Sequence, residues 1–394
     1  MTLPSAVTYS RAVRDTADAI SQEKELVISD QIYLNDPNEN KALSWILSQG
    51  VKESTPNHIF GHLEDAPFAN WVEYIGATES SQGVTALSIE FVQARCAEGA
   101  RLYNPRTQEI MRLTVDPTGA NTTGAVARNF GRGNSTDLLF TGDRLLILPP
   151  AHYEGFTAGL GLTNTKVFKS FSTSIVSYPI RVTGTENAEI ARGGNPFLYF
   201  LNKAWKQAKD QMEHELFFGG QVNDPSTYTY SMHASEGLQN IISTNVWAID
   251  GVLTWRDLQD IIAEWTMYNK AGGAIMCSKW FIHMITDWAW MKVELNQDAK
   301  ALGLEINSIV TPDGRFDLVE VDVLNQEPNL AGTAFFVPRG GISYRPLVGY
   351  EDRDIKYMPI DRDEVDQEEG QIIGEYGWEF FNEEKFGVVT GVEF

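Results

Sequence analysis

The chain has 394 residues, 43% of them hydrophobic and 11% aromatic, and a formal net charge of −22, enough length for two or three folding units. That charge, with no Lys/Arg cluster, disfavours sequence-specific nucleic-acid binding but leaves close proximity to nucleic acid open. No run of about 20 apolar residues exists to form a transmembrane helix, and the start, MTLPSAVTYSRAVRDTADAI, lacks the basic-then-apolar order of a secretory signal.

Residues 1 to about 35 have weak periodicity, with a short helix over Ala12 to Lys24, and read equally as an extended or partner-dependent arm and as an independent unit. Asp36 caps and Pro37 opens a compact helix whose apolar face is Ala42, Leu43, Ile46 and Leu47, stopped at Gly50. An extended stretch follows from His58 to Ile75. From Val84 to Tyr153 short strands alternate with turns: ALSIEFV, ARLYN, EIMRLTV, AVARNF and RLLILP. This predicts a small β-barrel or sandwich module. Lys166 to Thr185 alternates apolar and polar residues and reads as a two-stranded excursion, too poor in apolar residues to stand alone.

Asn195 to Gly220 is the strongest element. Asn195 is a good N-cap, Pro196 fits the first helical position, and Gly219–Gly220 supply a left-handed stop. Leu198, Leu201, Trp205, Ala208, Met212 and Leu216 make the predicted buried stripe. Lys203, Lys206, Lys209, Asp210 and Glu213 lie opposite. These charges run against the helix dipole, so packing must hold the helix; it reads as an amphipathic helix on a core or, alternatively, as a long strut across a thin subunit whose charged face meets neighbouring subunits.

Beyond Asp224-Pro225 helices and strands alternate. Thr254 caps a helix with Trp255, Leu258, Ile261, Ile262 and Trp265 inward; AIMCS is a buried strand; Lys279 to Lys292 is an aromatic-rich helix. Asn307 to Gly314 reads as a turn, FDLVEVDVL and TAFFVPR as strands, and the tail from Ile342 to Phe394 as strands again.

No catalytic or cofactor signature emerges. His58 and His62 have the i,i+4 spacing of a zinc pair, but Pro56 and Gly61 argue against a helix there. Cys96 and Cys277 form neither a metal spacing nor a disulfide framework, and point to folding in a reducing cytosol. Cys277, His283 and Asp287 share a region, but Cys277 ends an apolar strand and reads as a buried thiol. Asp361, Asp363, Asp366, Glu368 and Glu369 resemble a calcium loop, yet Val365 stands where an oxygen ligand is needed. Gly193-Gly194 and Gly159-Leu160-Gly161 read as turns, not anion loops. Trp247, Trp255, Trp265, Trp280, Trp288 and Trp290 crowd one region; some belong at a surface or interface.

The order of parts resembles the major capsid proteins of tailed bacteriophages, with their Hong Kong 97 type fold. RLYNPRTQEIMRLTV leading to FTGDRLLILPPAHYEG is similar to an inserted β module. TNTKVFKSFSTSIVSYPIRVTGT resembles the extended loop that overlaps a neighbour. NPFLYFLNKAWKQAKDQMEHELFFG resembles the spine helix. EGLQNIIST, AIMCSKWFIHMI and IVTPDGRFDLVEVDVL resemble the domain around the capsomer centre; YRPLVGYEDRDIKYMPI and EEGQIIGEYGWEFFNEEKFGVVTGV resemble the returning peripheral strands.

The resemblance implies an α+β chain divided as an arm (1–57), a first peripheral segment (58–83), the inserted β module (84–157), the extended loop (158–192), a peripheral domain with the spine (193–236), an axial domain (237–340) and return strands (341–394). It implies a structural, non-enzymatic protein without metal or cofactor. Copies would assemble as hexamers and pentamers into an icosahedral virion shell around double-stranded DNA, in the host cytoplasm and away from membranes. Scaffold, portal and decoration proteins are the expected further partners. Lys166, Lys169, Phe171, Lys203, Lys206, Lys209, Asp210 and Glu213 are the expected inter-subunit contacts. An encapsulin-like nanocompartment shell is the alternative, and a carbohydrate-active hydrolase a remote one.

Overall fold

The computed structural model describes residues 40–65, 70–78, 86–90, 96–115, 121–134, 137–155, 165–189, 195–224, 231–270, 272–288, 293–295, 307–360 and 366–393. They fall into two compact units, one from the described parts of Met1–Phe60 and Phe171–Phe394, the other from those of Gly61–Ser170. The expected arm is therefore described only from Asn40; its Asp36 cap, Pro37 start and upstream helix lie outside the described residues.

The 61–170 unit holds a six-stranded sheet. Its strands are β2 (Trp71–Glu73), β3 (Ala86–Glu90), β4 (Arg101–Tyr103), β5 (Ile110–Leu113), β6 (Asn121–Ala127) and β7 (Arg144–Leu148), in the order β2-β7-β4-β5-β6-β3. Every described pairing is antiparallel. Val72, Leu102, Met111, Leu113 and Leu145, alternating along their strands, form its fully buried core.

Two further strands, β1 (Ile59–Glu64) and β8 (Val167–Ser172), pair as a two-stranded ribbon. This corrects the expected excursion. β9 (Ser174–Thr183) does not fold back on β8; it pairs along its whole length with β20 (Gln367–Phe380). Thr173 is the break between them: its N–H donates to the His58 carbonyl and its hydroxyl to Glu375. The ribbon requires Gly61, because a Cβ there would run into the Lys169 carbonyl oxygen.

In the other unit β20 is the centre of a four-stranded sheet, flanked by β18 (Ile342–Pro346), β19 (Lys356–Ile360) and β9. A seven-stranded mixed sheet runs β12 (Val246–Gly251), β21 (Gly387–Val392), β17 (Ala334–Pro338), β13 (Gly273–Cys277), β16 (Gly314–Glu320), β15 (Asn307–Thr311) and β14 (Val293–Leu295). Two expectations change here. Residues 307–311 form a strand antiparallel to β16, with the turn confined to Thr311–Gly314. The final strand, β21, leaves the other return strands and inserts between β12 and β17, parallel to the first and antiparallel to the second.

β13 and β17 are buried at every position, as a sheet covered on both faces requires. On one face Ala274, Met276, Phe335, Val337 and Val319 meet α1 (Lys41–Ser48), α3 (Pro196–Phe218) and α4 (Leu238–Ile241). On the other, Ile275, Cys277, Ala334, Phe336, Phe316 and Leu318 meet α5 (Trp255–Tyr268) and α6 (Lys279–Asp287). Two further short α-helices among the described residues are α2 (Gly184–Ala188) and α7 (Asp322–Gln326).

The helix starts follow the sequence closely, while α6 ends at Asp287 and not at the expected Lys292. The Asn195 side chain accepts from the N–H groups of Phe197 and Leu198. Thr254 and Asp257 form a reciprocal capping box, and Ser278 caps α6. Gly219 is different: its φ is −57, so it is no left-handed stop. Glycine is needed there for space, since a Cβ would lie 2.5 Å from the Glu215 carbonyl oxygen and 2.9 Å from that of Ser235.

Candidate assembly surfaces

The spine helix α3 separates its expected contact residues by burial. Its inner face is Phe197, Ala208, Met212, Glu213, Leu216 and Phe217. The predicted stripe is thus rotated by one position at its start: Phe197 packs against Ile180, Val182 and Tyr357, while Leu198 is 56% exposed. Leu201 is half-buried with it, and Trp205 is half-buried further along. Lys203, Lys206 and Lys209 point outward and are exposed.

Glu213 does not share the outward face; it is 1% exposed and receives α1. Asn40, just ahead of α1, donates its N–H to Asp322 at 3.1 Å and its side-chain amide to Asp210 at 2.7 Å. The Leu43 N–H donates to Glu213 Oε2 at 3.4 Å. Three carboxylates on α3 and α7 thereby take donors at the N-terminal end of α1, where the helix dipole is positive. α1 also buries Trp45, whose indole N–H donates to Asp317, while the predicted Leu47 is 44% exposed. The acids that looked misplaced on an isolated α3 thus have work to do inside the chain.

Glu213 Oε1 has no hydrogen-bond partner. Burial, then the neighbouring charges of Asp322 and Asp210, raise the Glu213 pKa from 4.5 to about 7, against the lowering by the Leu43 and Asp322 N–H groups. Between those values the native chain holds a proton that the unfolded chain has lost. Stability therefore falls as pH rises through that window. Glu213→Gln is expected to remove this slope and to stabilise the unit at pH 8 by about 2–3 kcal/mol. Urea midpoints at pH 5 and pH 8 check this; an unchanged difference between the two would show that Glu213 does not titrate there.

Lys166, just ahead of β8, and Lys169 within it are exposed, as are Val167 and Phe168 of the same strand, at 56% and 59%. Leu63 on the paired strand is 62% exposed. Phe171 is not part of this surface. It is buried, with ring centroids 6.1 Å from Phe60 and 6.1 Å from Phe380.

A cleft of about 770 Å³ lies between β9, α3 and β11 (Met232–Ala234), the antiparallel partner of β10 (Val222–Asp224). The Tyr376 hydroxyl donates to Glu215 Oε2 at 2.6 Å, and Ser174 donates to Oε1 of the same carboxylate. Glu375 is held by Thr173, Arg353 and His233. These acids therefore serve as acceptors within the chain. Burial, then the Glu215 charge, pushes the Tyr376 hydroxyl above the ordinary tyrosine range.

The other motifs resolve individually. His62 sits in β1 beside Glu64, and the His58 and His233 rings lie 5.2 Å apart, tilted by 37°. Cys277 is fully buried, and burial keeps its thiol protonated by raising its pKa. His283 lies instead against Trp280. Asp361, Asp363, Gly159, Leu160, Gly161, Gly193, Gly194 and Trp290 lie outside the described residues. Glu368 accepts from Asn187, and Arg181 lies 3.6 Å from Glu369. Among the described residues no three His, Cys, Asp or Glu side chains are placed to hold a metal ion, and no helix is long and apolar enough to cross a membrane. The tryptophans divide: Trp265 is buried, Trp255 and Trp288 pair at 5.8 Å, and Trp280 is 59% exposed. Their surface members had no local signal; only the packing of α5 and α6 on the sheet decides which ring turns outward.

No curated protein sequence matches the chain significantly. Among solved structures the chain is similar to one titled Mycobacterium phage Bobi, with 10% identity, TM-score 0.47, and coverage of 96% of this chain and 99% of that one. It is similar to the capsid of a native GTA particle at 7% identity and TM-score 0.43, covering 62% and 81%. It is similar to the SrpI encapsulin complex of Synechococcus elongatus PCC 7942 at 11% identity and TM-score 0.40, covering 58% and 78%. TM-scores below 0.5 give these likenesses no weight of their own. The family model described as SU10 major capsid protein, by contrast, matches residues 12–393. The chain is a structural capsid shell protein of the virion, α+β in fold, and belongs to the SU10 major capsid protein family.

Proposed function

We propose that this chain assembles as hexamers and pentamers into an icosahedral shell that encloses double-stranded DNA, contributes no catalysis, and is put together in the host cytoplasm. One observation carries the self-assembly reading. The β1–β8 ribbon is a two-stranded element with Leu63, Val167 and Phe168 exposed. A two-stranded ribbon is marginal in water alone, and apolar side chains on it gain by burial elsewhere. Copies of the chain supply that surface in a shell. Lys166 and Lys169 on the ribbon and Lys203, Lys206 and Lys209 on α3 are the expected subunit contacts. Phe171, Asp210 and Glu213 support them from within. The net charge of −22 lets packaged DNA move along the wall without adhering.

The division into peripheral and axial parts belongs to the same proposal, with Trp71–Glu73 joining the sheet of the β module and the last strand joining the seven-stranded sheet. Scaffold, portal and decoration proteins remain the expected further partners. The test is expression followed by sedimentation and negative-stain microscopy. Wild-type protein is expected to yield closed particles. Lys206→Glu, which reverses an exposed charge on α3, is expected to lower the assembled fraction about tenfold, equivalent to about 1.4 kcal/mol per subunit contact. Undiminished assembly of that variant would remove the α3 face from the interface, and a wild-type protein that stays monomeric at all concentrations would sink the reading as a whole.

A further inference from the structure

The six-stranded sheet has an outer face that nothing above explains. Register places Trp71 opposite Leu146, Leu146 opposite Tyr103, and Tyr103 opposite Ile110. Partners in an antiparallel pair point to the same face, so these four side chains form one apolar row across β2, β7, β4 and β5. Their strand neighbours Val72, Leu145, Leu102 and Met111 all point the other way, into the core. The row is open: Trp71 is 39% exposed and Leu146 42%, with Tyr103 and Ile110 half-buried.

Arginines border this row on the same face. Arg101 and Arg112 are themselves register partners one step beyond Tyr103 and Ile110, and Arg144 lies two residues before Leu146. Arg101 donates to the Pro149 carbonyl, Arg112 to the Ala151 carbonyl, and the Arg144 guanidinium sits 4.6 Å from the Trp71 ring. Among the described residues Arg101 and Arg112 form no ion pair, while Glu73 stands opposite Arg144 in the register. Arginine and aromatic side chains are the residue types enriched at interface cores, and a held guanidinium loses less freedom on binding than a lysine.

Charge identifies the occupant. Residues 61–170 hold nine basic and eleven acidic side chains, a net −2, so the rest of the chain carries −20 of the total −22. A face with three arginines around an apolar row, two of them held only by carbonyl oxygens, is complementary to that acidic remainder, and the source present at the highest concentration during assembly is another copy.

We infer that this outer face is an assembly interface that docks on the acidic remainder of a second copy of the chain, its arginines meeting carboxylates of that copy. The inference rests on the self-assembly reading above and gives the 61–170 unit a role in it.

Two experiments on the full chain decide the matter. The variant R101E/R112E/R144E is expected to keep the wild-type circular dichroism spectrum and to lose particles at least tenfold by sedimentation. Particle formation at the wild-type yield would overturn the inference. The second does not depend on how that variant folds. The thiol introduced by Leu146→Cys is expected to react with a maleimide in unassembled subunits and at least ten times more slowly in particles of this chain alone; the native Cys96 and Cys277 are buried. Equal reactivity in the particles would show the face left open, for a different protein, and would also overturn it. If wild-type protein forms no particles at all, the self-assembly reading fails first and this inference falls with it. If it does, only the docking face is at stake.

Discussion

Glu109→Ala is expected to destabilise the 61–170 unit by about 3–5 kcal/mol, the range for breaking a buried ion pair from one side. Glu109 is fully buried and takes both Arg128 donors, Nε on Oε1 and Nη2 on Oε2, each at 2.7 Å. The Asn129 N–H donates to the same carboxylate at 3.0 Å, and Arg128 reaches on to the Asp137 carbonyl. The loop after β6 is wrapped around this group. Asn129 and Gly131 have φ of 54 and 81, and a Cβ at Gly133 would crowd Glu109 Cγ at 2.8 Å. Without the carboxylate, Arg128, with only 10% of its side chain exposed, is left charged in a dry site. The paired change E109L/R128M is expected to cost less than E109A alone, because both charges leave together. Urea unfolding followed by circular dichroism measures both. A loss below about 1 kcal/mol for E109A would show that the pair is not what holds the loop.

Trp265→Ala is expected to cost the other unit a similar amount, about 3–5 kcal/mol, with the Glu109 unit unaffected. Trp265 is fully buried, its ring 5.1 Å from Phe316 and 5.2 Å from Phe336, between α5 and the seven-stranded sheet. Its indole N–H donates to the Lys385 carbonyl at 2.6 Å, tying the segment before β21 to α5. Truncation leaves a cavity and an orphaned carbonyl together. Gly273 shows how little room the site has to collapse, since a Cβ there would already lie 3.0 Å from the ring. Trp265→Phe keeps most of the contact and is expected to lose about half as much. If alanine and phenylalanine cost the same, the indole hydrogen bond and not the packing carries the effect.

Acid titration has a second, weaker handle. Burial works against the charged form of Glu383, yet the N–H and hydroxyl groups of Ser243 and Thr244 hold its pKa below the usual value. That contribution is present at neutral pH and is lost as pH falls through the lowered pKa, opposite in sign to Glu213.

The local elements of this protein were legible in its residues. Asn195-Pro196 starts the spine, Thr254 caps α5, and the alternation in RLYN, IMRL and RLLIL marks strands that exist. Each is decided within a few residues by capping, fixed proline φ and side-chain period, so each is written locally. The order of such elements was also enough to resemble the capsid family to which the chain belongs.

What a local pattern does not contain is the identity of a partner. Residues 166–183 alternate correctly for strands, but alternation is indifferent to which edge each strand joins. Burial of Phe171 against Phe60 and Phe380, and the Thr173 break, send β8 to β1 and β9 to β20. The spine's charges tell the same story. Lys203, Lys206 and Lys209 lie where the helix period places them, but Asp210 and Glu213 turned from an outward face to the seat of α1 because donors some 170 residues away need acceptors there. The sequence by itself determined where the spine and α5 would begin and where many of the strands would lie, since capping and side-chain period are settled by neighbours along the chain; the strand at Asn307–Thr311, the helix at Asp322–Gln326 and the end of α6 at Asp287 were not written that locally. Only the tertiary structure decided which strands would pair, which helix face would be buried and which charges would stay in water, because those are set by contacts between residues hundreds of positions apart.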